Sequence, residues 1–208
     1  MKEYGLFGGS FNPIHNGHLY LAESVYEALG LERVILMPSG EAPHKDCSEY
    51  AAAEHRLEMC RRAAEQYDWM TVSDDEIRKN GKSYTVETLR QLTKEYPDVH
   101  WTLMIGSDML LSFDRWYCYT EILRMARICA VSRETGDLPA LFEKAEALSD
   151  AESCADIIVL SVRAFPVSST QIRKKLKKNE NSSCLLPKNV VQYIRLNGLY
   201  GTRNGEKL

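Results

Sequence analysis

Short apolar runs alternate along the chain with longer stretches whose apolar side chains recur at helical spacing. Residues 4–7 read as a strand. Residues 19–29 predict a helix with Ala22, Val25 and Leu29 on one face and Gly30 as its C-terminal stop. Residues 33–37, Arg-Val-Ile-Leu-Met, suit a strand of a parallel sheet covered on both faces. The loop 38–49 is longer than most connections in compact domains. Residues 51–67 predict a helix whose inner face is Leu57, Cys60, Ala64 and Tyr67. A short strand at 69–73 precedes a polar stretch, 74–82, with the turn signal Asn80-Gly81.

Ser83 is placed to cap a helix running to Tyr96, with Val86, Leu89 and Leu92 inward and Pro97 as a stop. Strands follow at 100–105, 127–132 and 156–162, with a helix at 138–148 between the last two. The segment 109–125 is rich in aromatic residues, with Phe113, Trp116, Tyr117 and Tyr119. Val167 to Thr170 open a helix carrying Ile172 and Leu176. A final helix starts near Pro187 and ends at Asn197-Gly198. Strands separated by helices form right-handed βαβ units. The expected fold is therefore α/β: a Rossmann-like, doubly wound, mainly parallel sheet with a small C-terminal helical portion. One domain is expected over 1–200, followed by a flexible tail at 201–208. In such sheets ligands bind beyond the C-terminal strand ends. The loops beginning at Gly8, Pro38 and Gly106 fit that rule.

Composition narrows the function classes. The 208 residues are 44% hydrophobic and 26% charged with a net charge of −3, as in an ordinary globular protein. Nothing supports general binding to nucleic acid or to an anionic membrane. No apolar run approaches the roughly 20 residues that span a bilayer, and no signal peptide precedes the first strand. The six cysteines (47, 60, 118, 129, 154 and 184) form no C-x-x-C pair. They read as buried, reduced thiols of a cytoplasmic protein.

The chemistry concentrates in Gly8-Gly9-Ser10-Phe11-Asn12-Pro13-Ile14-His15-Asn16-Gly17-His18. The glycines permit close approach of backbone to a ligand, and Pro13 fixes a turn. His15 and His18 lie three apart at a helix start, so both can face one point. Unsatisfied amides and the helix dipole favour an anion there. The turn has neither G-x-G-x-x-G nor G-x-x-x-x-G-K-[ST], which removes the main support for a dinucleotide-binding dehydrogenase and for a P-loop NTPase. A nucleotide phosphate is the expected anion.

His15-Asn16-Gly17-His18, together with Ser168-Ser169-Thr170-Gln171-Ile172-Arg173, resembles the nucleotidyltransferase superfamily. Within it the chain most resembles bacterial nicotinate-nucleotide adenylyltransferases. The shared segments are Gly8 to His18, Pro43-His44-Lys45, Ser83-Tyr84-Thr85 with Glu87-Thr88-Leu89, Gly106-Ser107-Asp108 and Trp116. The resemblance runs from Met1 to about Tyr200. It implies transfer of the adenylyl group of ATP to nicotinate mononucleotide, giving deamido-NAD and pyrophosphate, with direct attack and no covalent enzyme intermediate.

The resemblance also implies roles. His15, His18, Lys45 and Arg173 would be catalytic, offsetting charge on the triphosphate and the leaving pyrophosphate. Gly8, Gly9, Ser10 and Phe11 would bring backbone N–H groups to ATP. Gly106 and Asp108 would lie by the adenosine, and Ser168 and Ser169 would bind ATP at a second helix N-terminus, another anion site. Ser10, Lys45, Thr85, Trp116 and Tyr117 would bind nicotinate mononucleotide, with Trp116 stacked on its ring. Magnesium would arrive with ATP, held by phosphate and water rather than by protein ligands. ATP and nicotinate mononucleotide are the expected partners, and a homo-oligomer is compatible with the sequence.

Plainer roles stand beside these. Ser168 and Ser169 suit an N-cap, Trp116 and Tyr117 suit a core, and the basic run 173–178 suits a solvated helix end. Asp74 and Glu76 form a D-x-E pair read as structural. His55, His100 and Arg56 carry no signal beyond surface or structural duty, although Arg56 is placed as in the family. Two other readings stay open. One is an adenylyltransferase for nicotinamide mononucleotide or phosphopantetheine. The other is a non-catalytic nucleotide sensor on the same fold.

Overall fold

The computed structural model describes residues 1–40, 50–79, 83–132, 136–163, 165 and 167–202. Its strands are β1 (Lys2–Gly9), β2 (Arg33–Pro38), β3 (Met70–Val72), β4 (Val99–Gly106), β5 (Ala126–Ser132) and β6 (Ile157–Ser161). They make one sheet in the order β3-β2-β1-β4-β5-β6, the strand order of a doubly wound dinucleotide-fold sheet. Neighbours β1 and β4 pair in parallel from Lys2↔Val99 to Phe7↔Met104. The β4–β5 and β5–β6 pairs are parallel too. The order reverses between β1 and β4, which is the switch point of this topology.

The helices are α1 (Asn16–Leu29), α2 (Ala53–Ala64), α3 (Asp75–Arg78), α4 (Thr85–Glu95), α5 (Ser107–Leu111), α6 (Tyr119–Met125), α7 (Leu138–Ala151), α8 (Ser169–Lys177) and α9 (Lys188–Leu196). Among the described residues, no helix is long and apolar enough to cross a membrane.

The chain divides into two compact units. The first is Met1–Gly8, Leu21–Ile35 and Ser83–Ala164; the second is Gly9–Tyr20, Leu36–Lys82 and Phe165–Leu208. In the first, Leu6, Leu103, Met104, Ile128, Cys129 and Val131 are buried strand residues. Gly5 is a spacer: a Cβ there would stand 3.0 Å from Leu31 and 3.1 Å from Met104. In the second, α2 packs on β3 and α9. The α2–α9 contact is sealed by Asn189 donating to the Arg62 carbonyl at 2.6 Å, and by a 2.8 Å bond between His55 and Tyr193.

Local chemistry shifts several sequence boundaries. Helix α1 starts at Asn16 rather than at residue 19, which puts His18 inside its first turn. Helix α2 is shorter than 51–67, so Tyr67 lies beyond it, with its ring 5.0 Å from Trp69. The stretch from 74 contains helix α3, missed because three of its four residues are charged and it has a single apolar position, Ile77. Its start is fixed by the Ser73 hydroxyl accepting from the Asp75 N–H, and Arg78 pairs with Asp74 at 3.0 Å. Arg61 also pairs with Asp74, so half of the D-x-E pair is engaged in ion pairs. Ser83 does not cap α4; its N-cap is Tyr84, without a side-chain bond.

The aromatic segment resolves into α5, a 3₁₀ turn at Phe113–Arg115 and α6. The cysteine reading holds for Cys60 and Cys129, which are buried, and fails for Cys118, Cys154 and Cys184, which are not. Cys47, the Asn80-Gly81 turn and residues 203–208 of the expected tail lie outside the described residues. Thr202 is fastened by its hydroxyl to the Leu199 carbonyl at 2.9 Å.

Candidate active site

In the second unit the chain leaves β1 at Gly9 and reverses before α1. A Cβ on Gly9 would stand 3.1 Å from the Phe11 ring, so any larger residue would press on that ring. Phe11 itself takes φ +41° with its ring buried, a conformation that most residues avoid. The Asn12–Pro13 bond is cis. At Gly17 a Cβ would stand 2.9 Å from Val167 and 3.1 Å from the His15 ring. The glycine between the histidines therefore lets His15 lie against the helix start.

The imidazoles of His15 and His18 stack with centroids 3.6 Å apart and planes 22° apart. His15 is 2% exposed, and His18 is half-buried. The His15 N–H donates to Nδ1 of His18 at 3.2 Å. That Nδ1 is then an acceptor, which puts the His18 proton on Nε2. Two imidazolium charges at this separation would repel by roughly 5 kcal/mol even at an effective dielectric of about 20. The geometry therefore favours at most one cationic ring. The expectation of unsatisfied amides at the helix start is restricted. Asn16 N–H donates to the Leu185 carbonyl and His18 N–H to the His15 carbonyl.

The turn is gripped from its carbonyl side. Arg56, 3% exposed, donates from Nη1 to Ser10 O at 2.8 Å, from Nη2 to Gly40 O at 2.7 Å and from Nε to Ala51 O at 3.2 Å. Arg173 Nη1 donates to Asn12 O at 2.9 Å, Ser169 Oγ to Pro13 O at 3.0 Å, and Ser39 N–H to Gly9 O at 2.9 Å. The Asn12 side chain, 1% exposed, accepts through Oδ1 from Ala51 N–H at 3.0 Å and from the Tyr200 hydroxyl at 2.7 Å. In a trans peptide the carbonyl and the N–H point in opposite directions. Holding the Gly9 and Ser10 carbonyls thus orients the N–H groups of Ser10 and Phe11. Burial pulls the Arg56 guanidinium down from its ordinary value, yet arginine keeps its charge in proteins.

Helix α8 starts with a capping box: Ser168 Oγ accepts from Gln171 N–H at 3.2 Å, and Gln171 Oε1 accepts from Ser168 N–H at 3.1 Å. Ser168 thus caps, while Ser169 braces Pro13. Arg173 reaches the turn's backbone, with its guanidinium 5.8 Å from the Tyr50 ring centroid. Lys45 lies outside the described residues.

The first unit holds the other expected site residues. Gly106 ends β4 and is the N-cap of α5; a Cβ there would stand 2.9 Å from Asp108 Oδ1. Asp108 is exposed. The hydroxyls of Ser107 and Ser132 hold the Asp137 carboxyl below the usual carboxylate range. Thr85 is the first residue of α4. The Trp116 ring lies 5.0 Å from Phe113 and is half-buried, while Tyr117 is 58% exposed with its ring 5.1 Å from Tyr84. The Tyr84–Tyr117 contact joins the start of α4 to the Trp116 segment, and a two-point Arg90–Glu121 ion pair joins α4 to α6. Among the described residues no group of three or more His, Cys, Asp or Glu could hold a metal ion.

Comparison with known proteins decides the family. The cytidylyltransferase-like family matches residues 6–175. A relative from Clostridium tetani named "Probable nicotinate-nucleotide adenylyltransferase" is 36% identical over 201 residues, covering 96% of this chain and 100% of its own. One of the same name from Bacillus mycoides is 34% identical over 200 residues, covering 96% and 99%. The chain belongs to the nicotinate-nucleotide adenylyltransferase family. A solved structure of the Plasmodium falciparum nicotinic acid mononucleotide adenylyltransferase complexed with NaAD has the same fold. Its TM-score is 0.78 at 14% identity, covering 98% of this chain and 99% of that one.

For an adenylyltransferase of this family, sequence reasoning understated Arg56. The available signal was position: Arg56, Cys60 and Ala63 share a helical face, so the charge falls on the apolar side of α2. Tyr200 and the Asn12 side chain were missed as braces because their contacts are non-local, Asn12 meeting Ala51 across 39 positions and Tyr200 across 188. Tyr84 was quoted only as part of a motif, yet it supplies the ring that Tyr117 meets. His55 and His100 have the structural duty expected of them, the latter against Glu3 at 3.0 Å.

Proposed function

We propose that this chain transfers the adenylyl group of ATP to nicotinate mononucleotide, giving deamido-NAD and pyrophosphate in the biosynthesis of NAD. The observation that carries the reading is the braced turn with its stacked histidines, in a chain that aligns almost end to end with relatives of that name. A 5′-phosphate oxygen of the mononucleotide attacks the α-phosphorus of ATP. The bond from that phosphorus to the bridging oxygen breaks, and pyrophosphate leaves with the electron pair. Such a reaction asks the protein for positioning and charge stabilisation rather than for a nucleophile.

His18 donates from Nε2–H to the triphosphate, and His15 supports it from the stacked position. The amides of Gly8 to Phe11 face the phosphates, and Lys45 adds a mobile cation. Arg173 is catalytic in one of two ways: by reaching phosphate, or by fixing the Asn12 carbonyl it already binds. Gly106 and Asp108 serve the adenosine, while Thr85, Trp116 and Tyr117 serve the nicotinate ring. A divalent cation, Mg²⁺, is carried by ATP phosphates and water and lowers the charge on the leaving group.

The test mixes purified protein with ATP, Mg²⁺ and nicotinate mononucleotide and measures pyrophosphate and deamido-NAD. Equal yields of both are expected. Folded protein that makes neither would refute the proposal. Turnover on nicotinamide mononucleotide above that on the acid would refute the assignment of the acceptor.

A further inference from the structure

The second unit also contains a cavity of about 510 Å³, lined by Tyr50, Arg173, Lys174, Lys177, Tyr200 and Gly201 among others. Its size lies within the range of small-molecule pockets. We propose that it binds a small aromatic phosphate, and that the occupant acts on the histidine-bearing turn through Arg173 and Tyr200.

Charge is the first argument. Helix α8 presents Arg173, Lys174 and Lys177 to this one cavity, and among the described residues no acidic one lines it. The acid Glu180 pairs with Lys175. Cations in a last helical turn offset the helix dipole, which accounts for lysines at the end of α8. It does not account for an arginine one turn earlier, or for two tyrosines in the same wall. Guanidinium and ammonium groups beside aromatic rings match a phosphate joined to a ring. The Arg173 guanidinium already stands 5.8 Å from the Tyr50 ring centroid. Burial holds the Tyr200 phenol neutral well above the usual tyrosine range, so it adds no repelling charge.

The second argument is connection. Arg173 donates to the Asn12 carbonyl at 2.9 Å, and Tyr200 donates to the Asn12 side chain at 2.7 Å. Both walls of the cavity therefore hold the residue three before His15. An anion that draws the Arg173 guanidinium toward itself weakens its bond to Asn12, so binding and turnover are linked. The binding half stands alone; the effect on turnover rests on the adenylyltransferase reading.

The probes are phenyl phosphate and inorganic phosphate, titrated calorimetrically into the full chain, a Lys174→Ala/Lys177→Ala variant and a His18→Ala variant. Phenyl phosphate is expected to bind one-to-one, about tenfold tighter than inorganic phosphate, and about tenfold weaker in the double-lysine variant. His18→Ala should leave it unchanged. The proposal is overturned by no binding, by binding retained in the double-lysine variant, or by binding lost in His18→Ala, which would place the anion at the histidines. Equal affinity for the two probes overturns the aromatic assignment. In turnover assays phenyl phosphate is expected to slow the wild type about threefold and to leave the double-lysine variant untouched. Unchanged wild-type turnover overturns the link to the turn. A wild type that makes no deamido-NAD refutes the adenylyltransferase reading, and the calorimetric result still decides the site.

Discussion

Between Gly9 and Pro13, four backbone carbonyls accept from Ser39, Arg56, Arg173 and Ser169, and Asn12 is clasped twice more through its side chain. Around Trp116 the holding contacts are of another kind. Rings meet rings at about 5 Å, and Tyr117 keeps over half its surface open. The contrast fits the two tasks proposed for these regions. Charge developing on a leaving phosphate is stabilised only by donors already in place, and a displacement of an ångström forfeits much of the effect. A flat ring offered to aromatic faces tolerates small shifts, because dispersion and quadrupole attraction vary slowly. Hydrogen bonds to the backbone and to Asn12, with two arginines among the donors, build the first region; ring contacts build the second.

Arg56→Ala should break the turn most severely. It leaves three carbonyls without the donor seen here, at about 1–3 kcal/mol for each one that stays buried and unsatisfied. A total loss of about 3–5 kcal/mol in a denaturant titration is expected, with Arg56→Lys recovering part of it, since a lysine is a point charge without the planar fork. His18→Ala tests the same turn with its scaffold intact. Turnover should fall roughly 10²–10³-fold with ATP affinity within a few-fold, the pattern for a group that acts mainly on the transition state. Equal losses in both quantities would assign His18 to ground-state binding instead.

What the sequence disclosed follows the same division. Alternating periods were enough for the α/β sheet, and the strand order adds the switch point between β1 and β4. His15, His18 and Gly17 were visible because they are contiguous. Lys45, although visible, lies outside the described residues. The bracing of the turn was not visible: Arg56, Arg173 and Tyr200 reach it across 46, 161 and 188 positions. No local pattern encodes a partner at such distances. Short polar α3 escaped because four residues do not complete a hydrophobic period. The exposed Cys154 and Cys184 escaped because apolar neighbours in sequence do not settle burial.

Trp116→Ala probes the aromatic region. Its expected effect is about a tenfold rise in KM for nicotinate mononucleotide, some 1.4 kcal/mol, with kcat changed far less. A drop in kcat as large as that of His18→Ala would erase the distinction between a rigid turn and a tolerant ring platform. Tyr117→Ala should do less, since so exposed a ring loses less contact on truncation.

Tyr200→Phe is the mildest test of the bracing and the most specific. The hydroxyl bond to Asn12 Oδ1 is lost, but that oxygen keeps the Ala51 N–H. No acceptor is orphaned, so about 1 kcal/mol is expected rather than the full cost of an unsatisfied group. The pH dependence distinguishes this bond from generic packing. Burial raises the Tyr200 phenol from its ordinary value of 10. Above about pH 10 the unfolded chain gives up that proton while the native protein keeps it, so the native state binds more protons and stability falls as pH rises. Below pH 10 both states hold the proton and the contribution is complete. Tyr200→Phe should therefore lower stability by a constant amount at neutral pH and flatten one proton's share of the alkaline decline. If the decline is unchanged in the variant, Tyr200 ionises as readily in the native protein as in the unfolded chain, and its burial against the turn is refuted.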